Sequence, residues 1–100
     1  MDFNERMSLL MKKRCSSAFK DFFRTQLLQT RNTIQLTQRQ MADALLIAER
    51  SYAALESGEF GCSALTMALY LAYFCEDPYA FRAELKEVFE TSVTPAGNFR

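Results

Sequence analysis

The side chains that most often carry enzyme or metal chemistry are sparse in this chain. It has three cysteines, Cys15, Cys62 and Cys75, and no histidine. The cysteines are spaced unlike the ligands of a zinc site, and no histidine can complete one. The sequence also has no glycine-rich phosphate loop and no pairing of a nucleophile with a base. We therefore expect reduced core thiols, no metal, no cofactor and no enzymatic activity.

Charge is divided unevenly along the chain, although the formal net charge is zero. Residues 1–50 hold nine Lys and Arg against five Asp and Glu, a balance of +4, whereas residues 51–100 hold three against seven, a balance of −4. A net charge of zero is not typical of a generic nucleic-acid binder, but the basic first half of the chain is available to bind phosphates. Its cluster Lys12, Lys13 and Arg14 is either a contact to the DNA backbone or an ordinary solvated helix face.

The composition of the chain predicts an all-α protein with one domain. Its 100 residues, 49% of them hydrophobic, support one small core. Three glycines and two prolines are too few for a many-stranded sheet with tight turns. No signal peptide is recognisable, and the apolar run of residues 64–75 is too short to cross a bilayer. We expect a cytoplasmic protein with no membrane contact.

Apolar spacing divides the chain into three parts. In residues 1–17, apolar side chains such as Phe3, Leu10 and Cys15 recur at the helical period, which predicts an amphipathic helix or arm. The same period continues to Arg31 in a second helix, which can be continuous with the first. Residues 18–90 form the predicted helical domain, and residues 91–100 a flexible tail.

The middle of the chain predicts two short helices joined by a turn. Thr37 can cap a helix that begins at Gln38, with Gln40 completing a capping box. A turn follows near Leu46, and a second helix runs from about Glu49 to Ser57, where Gly58 can end it in the left-handed conformation. Two helices about three residues apart form a helix-turn-helix.

Two further helices follow, and both are rich in apolar residues. Ser63 can cap a helix over 64–74 that is apolar on every side, and Asp77 with Pro78 can begin the last helix. That helix carries an apolar stripe of Phe81, Leu85, Val88 and Phe89. A helix that is apolar all round must be covered by other helices or by a partner. We expect a homodimer formed through this surplus surface.

The helix-turn-helix segment resembles the Xre/Cro/cI family of DNA-binding domains. The resemblance covers about residues 22–74 and is carried by Leu36-Thr37-Gln38, Ala42, Ile47, Leu55-Glu56 and Ser57-Gly58. It implies a lambda-repressor-like bundle of about five helices with an extra N-terminal helix or arm. The implied function is a sequence-specific transcriptional regulator of bacterial or phage type. It would bind double-stranded DNA as a dimer, with the helix of about Glu49–Ser57 in the major groove.

The resemblance also implies roles for individual residues. Its DNA-contacting positions fall on Gln38, Arg39, Ala48, Glu49, Arg50, Ser51 and Ala54. Gln38 would bind a phosphate, and the alternative is an ordinary exposed glutamine in a first turn. Arg50 can grip a guanine, Glu49 can accept from a cytosine amine, and alanines can contact only thymine methyls. Arg31 and Glu56 occupy the positions of a structural ion pair.

The sequence departs from the family pattern where DNA sequence would be read. Three of the positions that usually contact bases are alanines, Ala48, Ala53 and Ala54, and Glu49 among them would repel phosphates. Leu46 stands at the turn position that usually holds glycine, and a leucine resists positive φ. The alternative function is a protein-interaction module that keeps the helix-turn-helix fold but binds another protein.

Overall fold

The computed structural model describes residues 2–59 and 61–93, and within them every regular element is an α-helix. The helices are α1 (Phe3–Ile34), α2 (Gln38–Ala44), α3 (Glu49–Ser57), α4 (Ala64–Tyr73) and α5 (Pro78–Val93). The predicted all-α class with about five helices is therefore confirmed. In this described part of the chain, none of the helices is both long and apolar enough to cross a membrane.

Helix α1 is a single helix of 32 residues that passes through the predicted boundary at residues 17 and 18. No glycine or proline occurs within it, so nothing in its sequence interrupts the backbone hydrogen bonds. Asp2 caps its start by accepting from the amide of Glu5 at 2.8 Å. The stop expected after Arg31 lies three residues later, because Gln35 takes the left-handed conformation with φ of 57°.

The caps predicted for α2 and α3 are confirmed. The hydroxyl of Thr37 accepts from the amide of Gln40 at 3.1 Å, and the side chain of Gln40 accepts from the amide of Thr37 at 2.8 Å. Gly58 ends α3 with φ of 79°. Leu46 has φ of 59° in the turn between the helices, so this leucine adopts the conformation that glycine adopts at less cost.

Helices α4 and α5 also begin at their predicted caps. Ser63 accepts from the amide of Thr66 at 3.2 Å, and Asp77 accepts from the amide of Ala80 at 3.0 Å. Helix α5 extends to Val93, so the first residues of the predicted tail are helical. The rest of that tail, residues 94–100, lies outside the described residues.

The core draws side chains from all five helices. Its buried members are Phe23 and Leu27 of α1, Met41 and Ala42 of α2, Leu45 directly after α2, Tyr52 and Leu55 of α3, Tyr70 of α4 and Phe81 of α5. The ring of Tyr70 meets that of Phe23 edge to face, with centroids 5.2 Å apart. Helix α1 packs against both α3 and α5, and α2 packs against α3.

The surplus apolar surface is smaller than the sequence suggests. Phe81, expected on an outward stripe, is buried in the core because it packs against Phe22 and Tyr70. Helix α4 buries Thr66 and Tyr70 and leaves Leu65 60% exposed. The apolar face left open on this side therefore belongs to α4 and does not include Phe81.

Candidate nucleic-acid interface

One buried carboxylate connects the helix-turn-helix to the rest of the domain. Glu56, on the last turn of α3, has a side chain that is only 5% exposed. Arg31 of α1 binds it through two nitrogens, with Nε 2.6 Å from Oε2 and Nη2 3.0 Å from Oε1. Gln38 of α2 donates to Oε1 at 2.9 Å, and the hydroxyl of Tyr52 donates to Oε2. We call these four side chains the Glu56 cluster.

Hydrogen bonds keep Glu56 ionised in spite of its burial. Burial alone raises the pKa of a carboxyl group, but the bonds from Arg31, Tyr52 and Gln38 outweigh it, so the pKa of Glu56 lies below its ordinary value. The hydrogen bond to Glu56 also raises the pKa of Arg31. Burial, followed by the bond to Glu56, raises the pKa of Tyr52. The cluster therefore holds a fixed ion pair at neutral pH.

The cluster fixes three helices to one another. Arg31 also donates from Nη1 to the backbone oxygen of Leu36, at 3.3 Å, in the segment between α1 and α2. Through Glu56 the same guanidinium holds α3, and through Gln38 the start of α2 is held as well. Charge-assisted bidentate hydrogen bonds of this kind fix the relative orientation of the two side chains as well as stabilising the contact. The predicted ion pair of Arg31 and Glu56 is thus confirmed.

The outer face at the start of α3 is open. The four consecutive residues Ala48, Glu49, Arg50 and Ser51 are all exposed. Ala48 precedes the helix with extended backbone and supplies no side-chain cap. This face can offer one guanidinium, one carboxylate and one hydroxyl to a partner.

Ala54 does not belong to that face. It is only 7% exposed, since it lies on the side of α3 that turns toward the domain. Its backbone oxygen accepts from the amide of Glu59 at 3.0 Å and from the Ser57 hydroxyl at 2.9 Å. The expectation that Ala54 contacts DNA is therefore corrected.

Gln38 has an intramolecular partner that the sequence did not indicate. Its side chain is half-buried, and the bond to Glu56 uses one of the two hydrogens on its amide nitrogen. The second hydrogen and the neighbouring Arg39, which is exposed, remain available to a phosphate. The spacing of Tyr52 and Glu56, one helical turn apart, was a signal for their contact. Nothing local in the sequence pointed to Gln38.

Comparison with family models, with curated proteins and with solved structures gave no match. Only the side chains of this chain and their arrangement therefore indicate what it can bind.

The remaining candidate groups lie apart from this face. Lys12, Lys13 and Arg14 are exposed on the first half of α1. All three cysteines are free and half-buried, and burial raises the pKa of Cys62. Within residues 2–59 and 61–93, no group of three or more Cys, Asp or Glu side chains could hold a metal ion.

Proposed function

We propose that this chain is a transcriptional regulator of the helix-turn-helix type that binds double-stranded DNA as a homodimer in the cytoplasm, and that it is a binding protein rather than an enzyme. The observation that carries the proposal is the exposed face Ala48–Ser51 at the start of α3, with the far end of the same helix fixed by Glu56. Reading base edges requires side chains held in register, and a helix anchored in this way meets that requirement. The resemblance to the Xre/Cro/cI family agrees with this interpretation.

Each exposed polar residue has a chemically suitable part of DNA to contact. Arg50 matches the O6 and N7 acceptors of guanine, and Glu49 can accept from a cytosine amine. Ala48 can contact a thymine methyl group. Arg39 and the free hydrogen of the Gln38 amide would contact phosphates, which sets the position of the domain without reading sequence.

Two copies would bind better than one because one copy offers few base contacts. A two-fold pair places its recognition helices about one turn of DNA apart, near 34 Å. Such a pair doubles both the base contacts and the phosphate contacts. A palindromic site is therefore expected.

A second function, binding of another protein, is favoured by a specific feature of the same face. Leu46 is 70% exposed beside α3, and Arg50 is the only basic residue among Ala48–Ser51. An exposed apolar side chain with a mixed pair of charges suits a protein surface better than a phosphate backbone. In this alternative the helix pair keeps its shape but its partner is a protein.

Fluorescence anisotropy distinguishes the two functions. The wild type would be titrated against a duplex selected from a random pool and against a scrambled duplex, at low and moderate salt. Affinity for DNA should fall steeply with salt because phosphate contacts release counterions. Arg50→Ala should lower affinity for the selected duplex by about 1 to 3 kcal/mol and relax the preference at one base pair.

Arg82→Ala is the matched control, because Arg82 is exposed on α5, outside the helix pair. It should leave the sequence preference unchanged. If the wild type binds neither duplex at low salt, the proposal of DNA binding is wrong and the protein-binding function replaces it. Equal losses from Arg50→Ala and Arg82→Ala would show that α3 does not read the sequence.

A further inference from the structure

The first half of α1 is an apolar and basic helix that no described residue covers. We call residues 2–17 the N-terminal arm. Its exposed apolar side chains include Phe3 at 72%, Leu10 at 41% and Met11 at 40% of their full exposure. Of the arm residues whose exposure is described, only Cys15 is half-buried. Clustered exposed apolar side chains on a soluble helix mark a surface that binds something.

The second half of α1, in contrast, is covered by α5. Ala80, near the start of α5, and Thr30 line one surface pocket, whereas Ser92, near the end of α5, and Ala18 line another. The two helices are therefore antiparallel, and α5 ends where the arm begins. A groove between them is lined by Phe22 and Val88 and by three carboxylates, Asp21, Glu84 and Glu87. We call it the α1–α5 groove.

The arm and the groove carry opposite charge. The arm holds four basic residues against two acidic ones, a balance of +2. Residues 76–93, which include α5, hold five acidic residues against two basic ones, a balance of −3. The basic residues of the arm are concentrated at Lys12, Lys13 and Arg14, next to the exposed Met11. Opposite charges around apolar contacts are typical of specific protein interfaces.

We propose that the N-terminal arm of each copy binds in the α1–α5 groove of a second copy. Met11, Cys15, Ala18 and Phe22 recur at intervals of three and four, so the arm and the α1 side of the groove present one continuous face. An antiparallel pairing of two α1 helices along this face, centred at Ser17 and Ala18, sets Arg14 opposite Asp21 of the second copy. A two-fold axis repeats every contact, so both arms are covered by one arrangement.

This inference rests on the dimer of the proposed function and names its surface, but it does not depend on DNA. Its test is therefore made without DNA. Sedimentation equilibrium of the wild type at low and high salt should give a dimer that weakens as salt rises, because exposed charge pairs are screened. A protein that is monomeric at low salt would overturn the proposal while leaving DNA binding by the monomer to be measured separately.

Two charge-reversed variants identify the surface. The arm variant carries Lys12→Glu, Lys13→Glu and Arg14→Glu, and the groove variant carries Glu84→Lys and Glu87→Lys. Each variant alone should raise the dimer dissociation constant by at least about 100-fold, because like charges then face each other. An equal mixture should dimerise again, because each reversed arm then meets a groove of opposite charge.

A control variant separates this surface from the rest of the molecule. Arg39→Glu with Arg50→Glu reverses exposed charges on the helix pair and should leave the dimer intact. Circular dichroism verifies that every variant is helical, and the salt dependence of the wild type tests the proposal without any variant. A dimer that survives both reversals would place the interface elsewhere, on the open face of α4 for example. Failure of the mixture to dimerise would also overturn the proposal.

Discussion

Glu56→Ala removes a carboxylate that accepts four hydrogen bonds from three side chains. Breaking a buried ion pair by removing one partner costs about 3 to 5 kcal/mol, since the other charge is left without compensation. Arg31 keeps 22% of its side chain exposed, so water can solvate part of its guanidinium. We therefore expect the lower end of that range, about 3 kcal/mol. For a domain of this size, that loss lowers the thermal midpoint by at least about 12 °C.

The assay is thermal unfolding followed by far-ultraviolet circular dichroism, with urea unfolding for the free energy. Glu59→Ala is the matched control, because Glu59 is an exposed glutamate three residues further along. Its midpoint should stay close to that of the wild type, as expected for a surface substitution. If Glu56→Ala and Glu59→Ala unfold at the same temperature, the Glu56 cluster does not contribute to stability and the reasoning is refuted.

Three further predictions concern the same region. Folding lowers the pKa of Glu56, so the stability that its ionised form contributes is complete above the unfolded pKa of about 4.3 and is lost as pH falls through the folded pKa. In urea unfolding, the difference in free energy of unfolding between wild type and Glu56→Ala should therefore shrink below about pH 4. A difference that stays constant with pH would contradict this. Leu46→Gly should stabilise the domain by about 0.5 to 1 kcal/mol in the same assay, because φ is 59° and the side chain is largely exposed, and a loss of stability would count against strain in the turn. Gln38→Ala should lower the free energy of unfolding by about 1 kcal/mol. In anisotropy titrations it should lower the affinity for all DNA sequences about equally. A loss of affinity for one sequence alone would instead show that Gln38 contacts a base.

The first residues of α2, α4 and α5 were predictable because the hydrogen bonds that cap a helix N-terminus are local in sequence. A threonine, serine or aspartate that precedes a helix bonds to an amide three residues ahead, so Thr37, Ser63 and Asp77 indicate their helices within a few letters of sequence. The end of α1 was less predictable, since Gln35 takes a left-handed conformation that glycine usually provides. The position at which α1 ends depends on packing between helices, and no short window of sequence contains that information.

The candidate site was only partly predictable. The pairing of Arg31 with Glu56 came from resemblance, because 25 residues separate the two and no period connects them. Ala54 was assigned to the DNA-facing surface although it is buried, because alanine is common on both the buried and the exposed sides of a helix. Gln38 was expected on the surface, yet its side-chain amide donates to Glu56. Buried polar atoms are usually hydrogen-bonded, and the Gln38 amide is one of the donors close enough to bind this carboxylate.

Because three side chains share one carboxylate, the order in which this region can change its sequence is restricted. A lineage that lost Glu56 first would remove the acceptor that Arg31, Tyr52 and Gln38 share. One that first replaced Tyr52 by phenylalanine, or Gln38 by a small residue, would still keep the ion pair. Paths between this cluster and a neutral, apolar version therefore favour changes at Tyr52 or Gln38 while Arg31 and Glu56 remain paired, because either charge left alone is costly.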